Sequence, residues 1–565
     1  HDWLKSTADE EDKATEQLAD LLRDEDGVKF TMDFVDRVMR PEDDKVAAHA
    51  LKDISSHYDP SFLGSINGAL VGAGGFFGPI LPNLVMPVAR LYMRKMVGHL
   101  VLDAESDALN KILDKAAESG EQLNLNLLGE AVLGEEEAKS RAERTLKLIK
   151  NPRVTYVSVK ASSMVAQLNH WDIDGSVERL KERLRPLYQA AADRTDKVFI
   201  NMDMEEYHDL HLTIRLFKEL LSEPEFLTLD AGIVLQAYLP DTFDALKDVA
   251  DFAKERVAKG GGKVKVRIVK GANLSMENVQ GEVHDWPLAT YTNKLDVDAN
   301  YYRLLDFILR EEYADSVRIG VATHNLYTAA MAYELGKKRG VLHMLDSEML
   351  QGMSPAQQAA VRKVFDGRQI LYTPVVHADD FDVAVSYLVR RLEENSAPQN
   401  FLYALFAPGE EPLADQEETF RRAVAKRWDT FAGARRTQNR LEEDGRQAPR
   451  TGRFTNEADT DPALAPNRQW AQEALKRNPG EHGIAEVTDP AAVEGHIARA
   501  KELGTEWGKR PAAERAAALE AVADQIASQR GKFISVAAYE ANKTVTQTDP
   551  EVSEAIDFCT YYGQS

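Results

Sequence analysis

Around residue 390 the chain reads YLVRRLEEN, which sets Tyr387, Arg390, Arg391 and Glu394 at i, i+3, i+4 and i+7, on one stripe of a helix. Two adjacent guanidiniums backed by a carboxylate form a fork that grips a carboxylate through paired hydrogen bonds, which is chemistry for an amino acid or a keto acid. A stripe of this kind can equally be an exposed, salt-bridged face. Here the apolar neighbours Val383, Val385 and Leu388 give the helix a side to pack. Upstream, polar residues gather toward the ends of β-rich runs: Lys160, Asp203, Gln236, Arg267 with Lys270, the trio Thr323, His324 and Asn325, and Tyr372 in the last run. One such residue is commonly a satisfied buried group. Six of eight runs behaving this way indicate a shared site.

The elements that must position these residues are legible as alternating short strands and amphipathic helices. The runs are LNLNLL from Leu123, RVTYVSVK from Arg153, KVFINMD from Lys197, GIVLQAY from Gly232, KVRIVKG from Lys265, RIGVATHN from Arg318, VLHMLDS from Val341 and QILYTPVV from Gln369. Strand and helix in alternation predict a parallel sheet, and eight repeats predict an α/β fold of the (β/α)8 TIM-like barrel type, with chemistry at the C-terminal strand ends. Residues 1–120 read as helical, with apolar spacing near 3.6 over Glu16 to Leu22, Val46 to Ser56 and Pro87 to Leu102. The GAGGFFG run at residues 72–78 lacks a preceding strand and a suitably placed acid, so it reads as a loop rather than a dinucleotide fingerprint. The barrel is expected over 121–400, a turn-rich linker over 401–488 and a helical segment over 489–565.

Lys and Arg total 69 against 92 Asp and Glu, a formal charge of -23 that argues against nucleic acid as a partner. The single cysteine, Cys559, excludes an internal disulfide and any multi-cysteine metal site. The uncharged stretch from Pro60 to Ala89 is broken by Asn67, Pro79, Pro82, Asn83 and Pro87, which makes it a poor membrane span. A cytoplasmic protein, or one attached only at the inner membrane surface, is expected. The chain opens on His1 and stops at Ser565, and both ends read as cut points.

Taken together, VSVKAS around Lys160, INMD ending at Asp203, VLQAY at Gln236, VRIVKGAN over Arg267 to Asn273, ATHN over Thr323 to Asn325 and YLVRRLEEN resemble the proline dehydrogenase family in order and spacing. The helical region before the barrel and NEADTDPALAPNRQWA resemble the bifunctional proline utilization A proteins, and the last segment, with KTVTQTDPEVSEAIDF, resembles the opening of their aldehyde dehydrogenase domain. The resemblance implies FAD-dependent oxidation of L-proline to pyrroline-5-carboxylate by hydride transfer to flavin N5, with Asp203 and Arg267 in catalytic roles. It implies that Lys160, Arg390 and Arg391 hold the proline carboxylate, with Glu394 and Asp203 orienting those cations, and that Tyr372 and Tyr387 complete the pocket. Met202, Gln236, Arg267, Lys270, Gly271, Ala272, Thr323, His324 and Asn325 would contact FAD. NAD would serve only the remainder of the aldehyde dehydrogenase part. A membrane quinone as electron acceptor and a homo-oligomer are also implied.

Asn126 stands where relatives often carry Asp, and Asn273 and Leu274 stand where many have an aromatic pair. A different barrel flavoenzyme, of the methylenetetrahydrofolate reductase kind, leaves the RRxxE stripe unexplained, and a non-enzymatic scaffold predicts eroded strand ends. No residue stands out as a base for the proline ammonium proton.

Overall fold

The β-rich runs carry branched or long apolar residues at every second position, and those residues need a layer of helices to cover them. A computed structural model of the chain describes Trp3 and residues 25–39, 43–58, 101–104, 106–129, 132–271, 273–377, 399–406, 411–443, 445–448, 453–477 and 487–565, with a few positions between, including Tyr387, Arg391 and Glu394. Nine strands run in chain order: β1 (Leu102–Asp103), β2 (Gln122–Leu127), β3 (Tyr156–Lys160), β4 (Phe199–Asp203), β5 (Ala231–Gln236), β6 (Val264–Val269), β7 (Val317–Ala322), β8 (Leu345–Leu350) and β9 (Gln369–Val376). Their pairings are all parallel, each of β2 to β9 with the next, and β9 pairs with β2 as well as β8. The eight strands β2 to β9 therefore close into the expected (β/α)8 barrel.

Alternation splits each strand into two faces. Val157, Val159, Ile200, Met202, Ile233, Leu235, Val266 and Ile268 belong to the main hydrophobic core. Helices such as Ile173–Asp193, Leu210–Leu221, Thr242–Ala258 and Leu326–Lys338 contribute buried apolar residues to the same core. Each fully buried Val, Leu or Ile side chain in this layer contributes roughly 1.5–3 kcal/mol. The opposite face of the strands is polar, with Asn124, Asn201, Lys265, Arg267, Asp346 and Glu348 all buried.

Three expectations need adjustment. The seventh run does not begin as strand at Val341: Leu342–Met344 forms a 3-10 turn, and β8 starts at Leu345. The stretch Pro87 to Leu102 does not end as helix, because Leu102 and Asp103 pair with Val375 and Val376 at the end of β9, beyond the point where β8 has stopped. Inside the stretch expected to be linker, Phe401–Phe406 and Glu411–Lys426 are helices, and Phe401 and Ala423 are buried in the barrel core. The helix expected over Val46 to Ser56 is present as Asp44–His57, capped by the Asp43 carboxylate. Glu16 to Leu22, the GAGGFFG run and most of residues 60–89 lie outside the described residues.

The final segment holds helices Pro490–Gly508, Ala512–Ser528, Arg530–Ala541 and Val545–Gln564. Arg530 is buried and donates to Asp549 and Ser553, which ties the last two helices together. Pro490–Gly508, by contrast, buries none of its residues. No described helix is long and apolar enough to cross a membrane.

Candidate active site

At the C-terminal mouth of the barrel a cavity of about 340 Å³ is lined by residues from nearly every strand. Its floor is a ring of paired charges. The Arg267 guanidinium of β6 donates to Asp203 Oδ1 of β4 at 2.7 Å, lies 3.7 Å from Glu348 Oε2 of β8, and stacks on the Tyr372 ring with 4.8 Å to the centroid. Burial opposes its charge, but Asp203 and Glu348 outweigh that cost and hold its pKa above the ordinary guanidinium value. Two residues earlier on the same face, Lys265 lies 2.6 Å from Glu348 and 3.1 Å from Asp346, and Asp346 also accepts from Arg318. Three cations thus face three carboxylates, which is what lets charges stay buried in a lumen with little water. Gly320 makes room for this pairing: a Cβ there would come within 2.1 Å of Glu348 Oε1.

Asp203 is the most heavily used acceptor. Besides Arg267 it accepts from Asn201 Nδ2 at 2.9 Å and from the Tyr372 hydroxyl at 3.0 Å. The cation it holds among the described residues is Arg267. Lys160 is level with Asp203 in the β3–β4 register, yet its ammonium pairs with Glu205 at 2.9 Å, while Asp203 is taken up by Arg267 across the lumen. Ser162 also donates to Glu205. Asn126 donates its amide to the Tyr372 hydroxyl, so the Asn at this position is matched to a neutral partner.

On the opposite wall, Arg391 pairs with Glu394 at 2.7 Å and lies 5.5 Å from the Tyr387 ring centroid. Burial pushes the Tyr387 hydroxyl up to about 12. All three line the cavity together with Lys160, so the structure brings these expected site residues to one cavity. Arg390 lies outside the described residues, as does Ala272.

Gln236, Lys270, Gly271, Thr323, His324 and Asn325 also line the cavity. Gln236 donates to the Glu205 carbonyl at 2.6 Å, and Lys270 pairs with Asp298 at 2.5 Å. Gly271 has φ of 141°, and a Cβ there would lie 2.4 Å from the Tyr238 ring, so only glycine serves. Asn325 caps helix Leu326–Lys338 by accepting from the Tyr327 and Thr328 amides. The His324 Nε2 accepts the Leu350 amide at 2.9 Å, which places the ring proton on Nδ1, and burial pulls its pKa down to about 4. Met202 is the exception. It sits on the face of β4 opposite Asp203, fully buried in the core, and Met204 lines the cavity instead.

Sequence reasoning passed over Glu205, Lys265, Asp346 and Glu348. Lys265 shares strand parity with Arg267, a signal that was available. Glu348 was hidden because the seventh strand was begun four residues early, which left it beyond the end of the run.

A family model described as proline dehydrogenase matches residues 108–404, and one described as the aldehyde dehydrogenase family matches 476–565. The bifunctional protein PutA of Klebsiella aerogenes is 26% identical over 90% of this chain and 41% of its own length. That of Escherichia coli is 27% identical, again over 90% of this chain and 41% of its own length. The chain therefore spans about two fifths of the length of these curated relatives. The structure of proline utilization A from Corynebacterium freiburgense is 52% identical, with a TM-score of 0.71 over 84% of this chain and 45% of that one. The fold is shared with the Bdellovibrio bacteriovorus proline utilization A inactivated by N-propargylglycine, at a TM-score of 0.78 and 24% identity over 100% of this chain and 60% of that one. Since the first family match covers more than half the chain and takes in every strand from β2 to β9, the chain belongs to the proline dehydrogenase family.

Proposed function

We propose that the chain oxidises L-proline to pyrroline-5-carboxylate with FAD as the immediate electron acceptor. One observation carries this reading: a single cavity is lined both by a cationic pair suited to an amino-acid carboxylate, Lys160 and Arg391, and by a buried guanidinium, Arg267. The residues fit the cofactor. Arg267 Nη1 is buried without a hydrogen-bond partner, which leaves a charged donor for an electron-rich ring, and Lys270 and Gln236 add a cation and an amide. Arg267, Gln236, Lys270, Gly271, Thr323 and His324 would hold FAD, with Asn325 fixing their loop. When bound, FAD supplies an acceptor for the hydride on the proline carbon next to nitrogen.

The protein's own groups then have separable tasks. Lys160 and Arg391 bind the carboxylate, a role the family resemblance extends to Arg390, and Glu205 and Glu394 hold Lys160 and Arg391 in place. The Tyr372 ring, fixed by its hydrogen bond to Asp203, packs against the pyrrolidine ring and keeps water from that side. Each carboxylate lining the described cavity is already held by a cation: Asp203 by Arg267, Glu205 by Lys160, Glu348 by Lys265 and Glu394 by Arg391. With these described carboxylates ion-paired, the reading assigns none of them as base, and proline reacts as the free amine after losing its ammonium proton to solvent. The reading extends to a membrane quinone as the eventual acceptor and to a homo-oligomer.

The test is direct. Purified chain should be yellow, and anaerobic L-proline should bleach its flavin band while an artificial dye acceptor restores turnover. A colourless protein that takes up no added FAD would overturn the proposal.

A further inference from the structure

Outside the cavity, two loops at the same end of the barrel bring together side chains that the proposed chemistry does not use. His170 lies on the loop that follows β3, and His208 and Asp209 lie in the 3-10 turn that follows β4. His170 Nε2 is 2.8 Å from Asp209 Oδ1, and His208 Nε2 is 3.5 Å from the same oxygen. The two imidazole rings meet edge to face with centroids 4.1 Å apart. One donor atom from each residue falls within 4.8 Å of the other two. The cluster is well sheltered: the side chains of His170 and Asp209 are 18% and 10% exposed.

Asp209 precedes helix Leu210–Leu221 in the position from which a carboxylate ordinarily caps the first turn, yet it makes no capping bond and turns to the histidines. Glu206 adds a second carboxylate, 3.5 Å from His208 Nδ1. Arg436 is the nearby positive charge, and its hydrogen bonds go to the Pro287 carbonyl and to Asp461.

We propose that His170, His208 and Asp209 form a site for a zinc-class divalent cation, which ties the loop after β3 to the loop after β4. Two imidazoles and a carboxylate suit a borderline ion, whereas calcium and magnesium favour all-oxygen sets. Zinc bonds of about 2.0–2.1 Å place tetrahedral ligand atoms roughly 3.4 Å apart; the two distances to Asp209, 2.8 and 3.5 Å, are close to that, and the imidazole nitrogens, within 4.8 Å of each other, would draw together on binding. The fourth position falls to water, and Glu206, at His208 Nδ1, stands where it can orient that ring from behind. The loops it would join also carry Ser162 and Glu205, the residues around Lys160, so the ion would brace the carboxylate-binding side of the cavity from behind.

The experiment uses the whole flavin-loaded chain, stripped with a chelator and titrated with zinc chloride by equilibrium dialysis. Cobalt(II) serves as a second probe, because a site with these ligands gives it a visible absorption band. The expected result is one bound equivalent and that band in the unaltered protein. Outer-shell substitutions alone weaken metal sites by on the order of 10- to 100-fold, so losing a ligand in His208→Gln or Asp209→Asn should weaken binding by at least roughly 100-fold. His284→Gln removes a different His–Asp pair, 2.7 Å long, and should leave zinc binding unchanged. If Asp209→Asn fails to fold, the partly exposed His208→Gln carries the test. Zinc uptake no greater than that of His208→Gln, or uptake lost in His284→Gln and kept in His208→Gln, would overturn the assignment.

Discussion

Arg391 is held by Glu394 and by the Tyr387 ring at the cavity wall, so its guanidinium is already oriented there. Arg391→Met should leave bound FAD in place and lower kcat/KM for proline by roughly 2 to 4 kcal/mol, as when one member of a desolvated charge pair is removed. Steady-state kinetics with unchanged flavin absorbance check this. Unaltered kinetics would move the residue out of the site. Tyr372 has its hydroxyl committed to Asp203 and Asn126, which leaves it little to offer a hydroxyl on the substrate ring. Proline should therefore be preferred over trans-4-hydroxyproline, by roughly tenfold or more in kcat/KM on the scale of a misfitted group in a shaped pocket. A ratio near one would remove Tyr372 from the ring pocket. The types of these residues were legible in the sequence, because polar groups at strand ends stand out against branched apolar neighbours. Their partners were not. Asp203 is level with Lys160 in the β3–β4 register, yet the pairing across the lumen gives it to Arg267 and gives Lys160 to Glu205.

At the scale of elements, the loop from β7 to helix Leu326–Lys338 shows how far strand and cap signals reach. ATHN marked the strand end, and Asn325 does cap the following helix. What the pattern did not contain was the backbone of β8, whose Leu350 amide fixes the neutral His324 tautomer. The histidine titrates near 6.5 when unfolded and near 4 when folded, so its contribution is fully present above about pH 6.5 and is lost as pH falls toward 4. With 1.36 kcal/mol per unit as the upper scale, the loss should be about 1 to 3 kcal/mol, and His324→Gln should remove that part of the acid sensitivity. Urea midpoints at pH 7 and pH 4.5 for both proteins measure it. Equal acid losses would show that His324 is not the group responsible. The seventh strand was misplaced for a related reason: VLHMLDS is apolar enough for strand from its first residue, and only pairing with β7 and β9 shows that extension begins at Leu345.

Across the whole molecule, the residues proposed for chemistry lie in the barrel. The segment matched to the aldehyde dehydrogenase family, 476–565, consists of helices in its described part. Its cysteine, Cys559, is a half-buried neighbour of a small cluster around Ala523 and Ile556. An aldehyde oxidation of this type needs an activated thiolate and a nucleotide fold, whereas the described part of this segment is a set of helices with one half-buried cysteine. The chain should therefore reduce a dye with proline but form no NADH from the open semialdehyde and NAD. NADH formation that disappears in Cys559→Ala would contradict this. Helix Pro490–Gly508 also sets a timescale. Because it buries no side chain, it is held by its own backbone hydrogen bonds and the Asp489 cap. Segments with few buried contacts open at little free-energy cost. In deuterated solvent its amides should exchange within seconds to minutes, while those of β5, buried at every position, should wait for global unfolding.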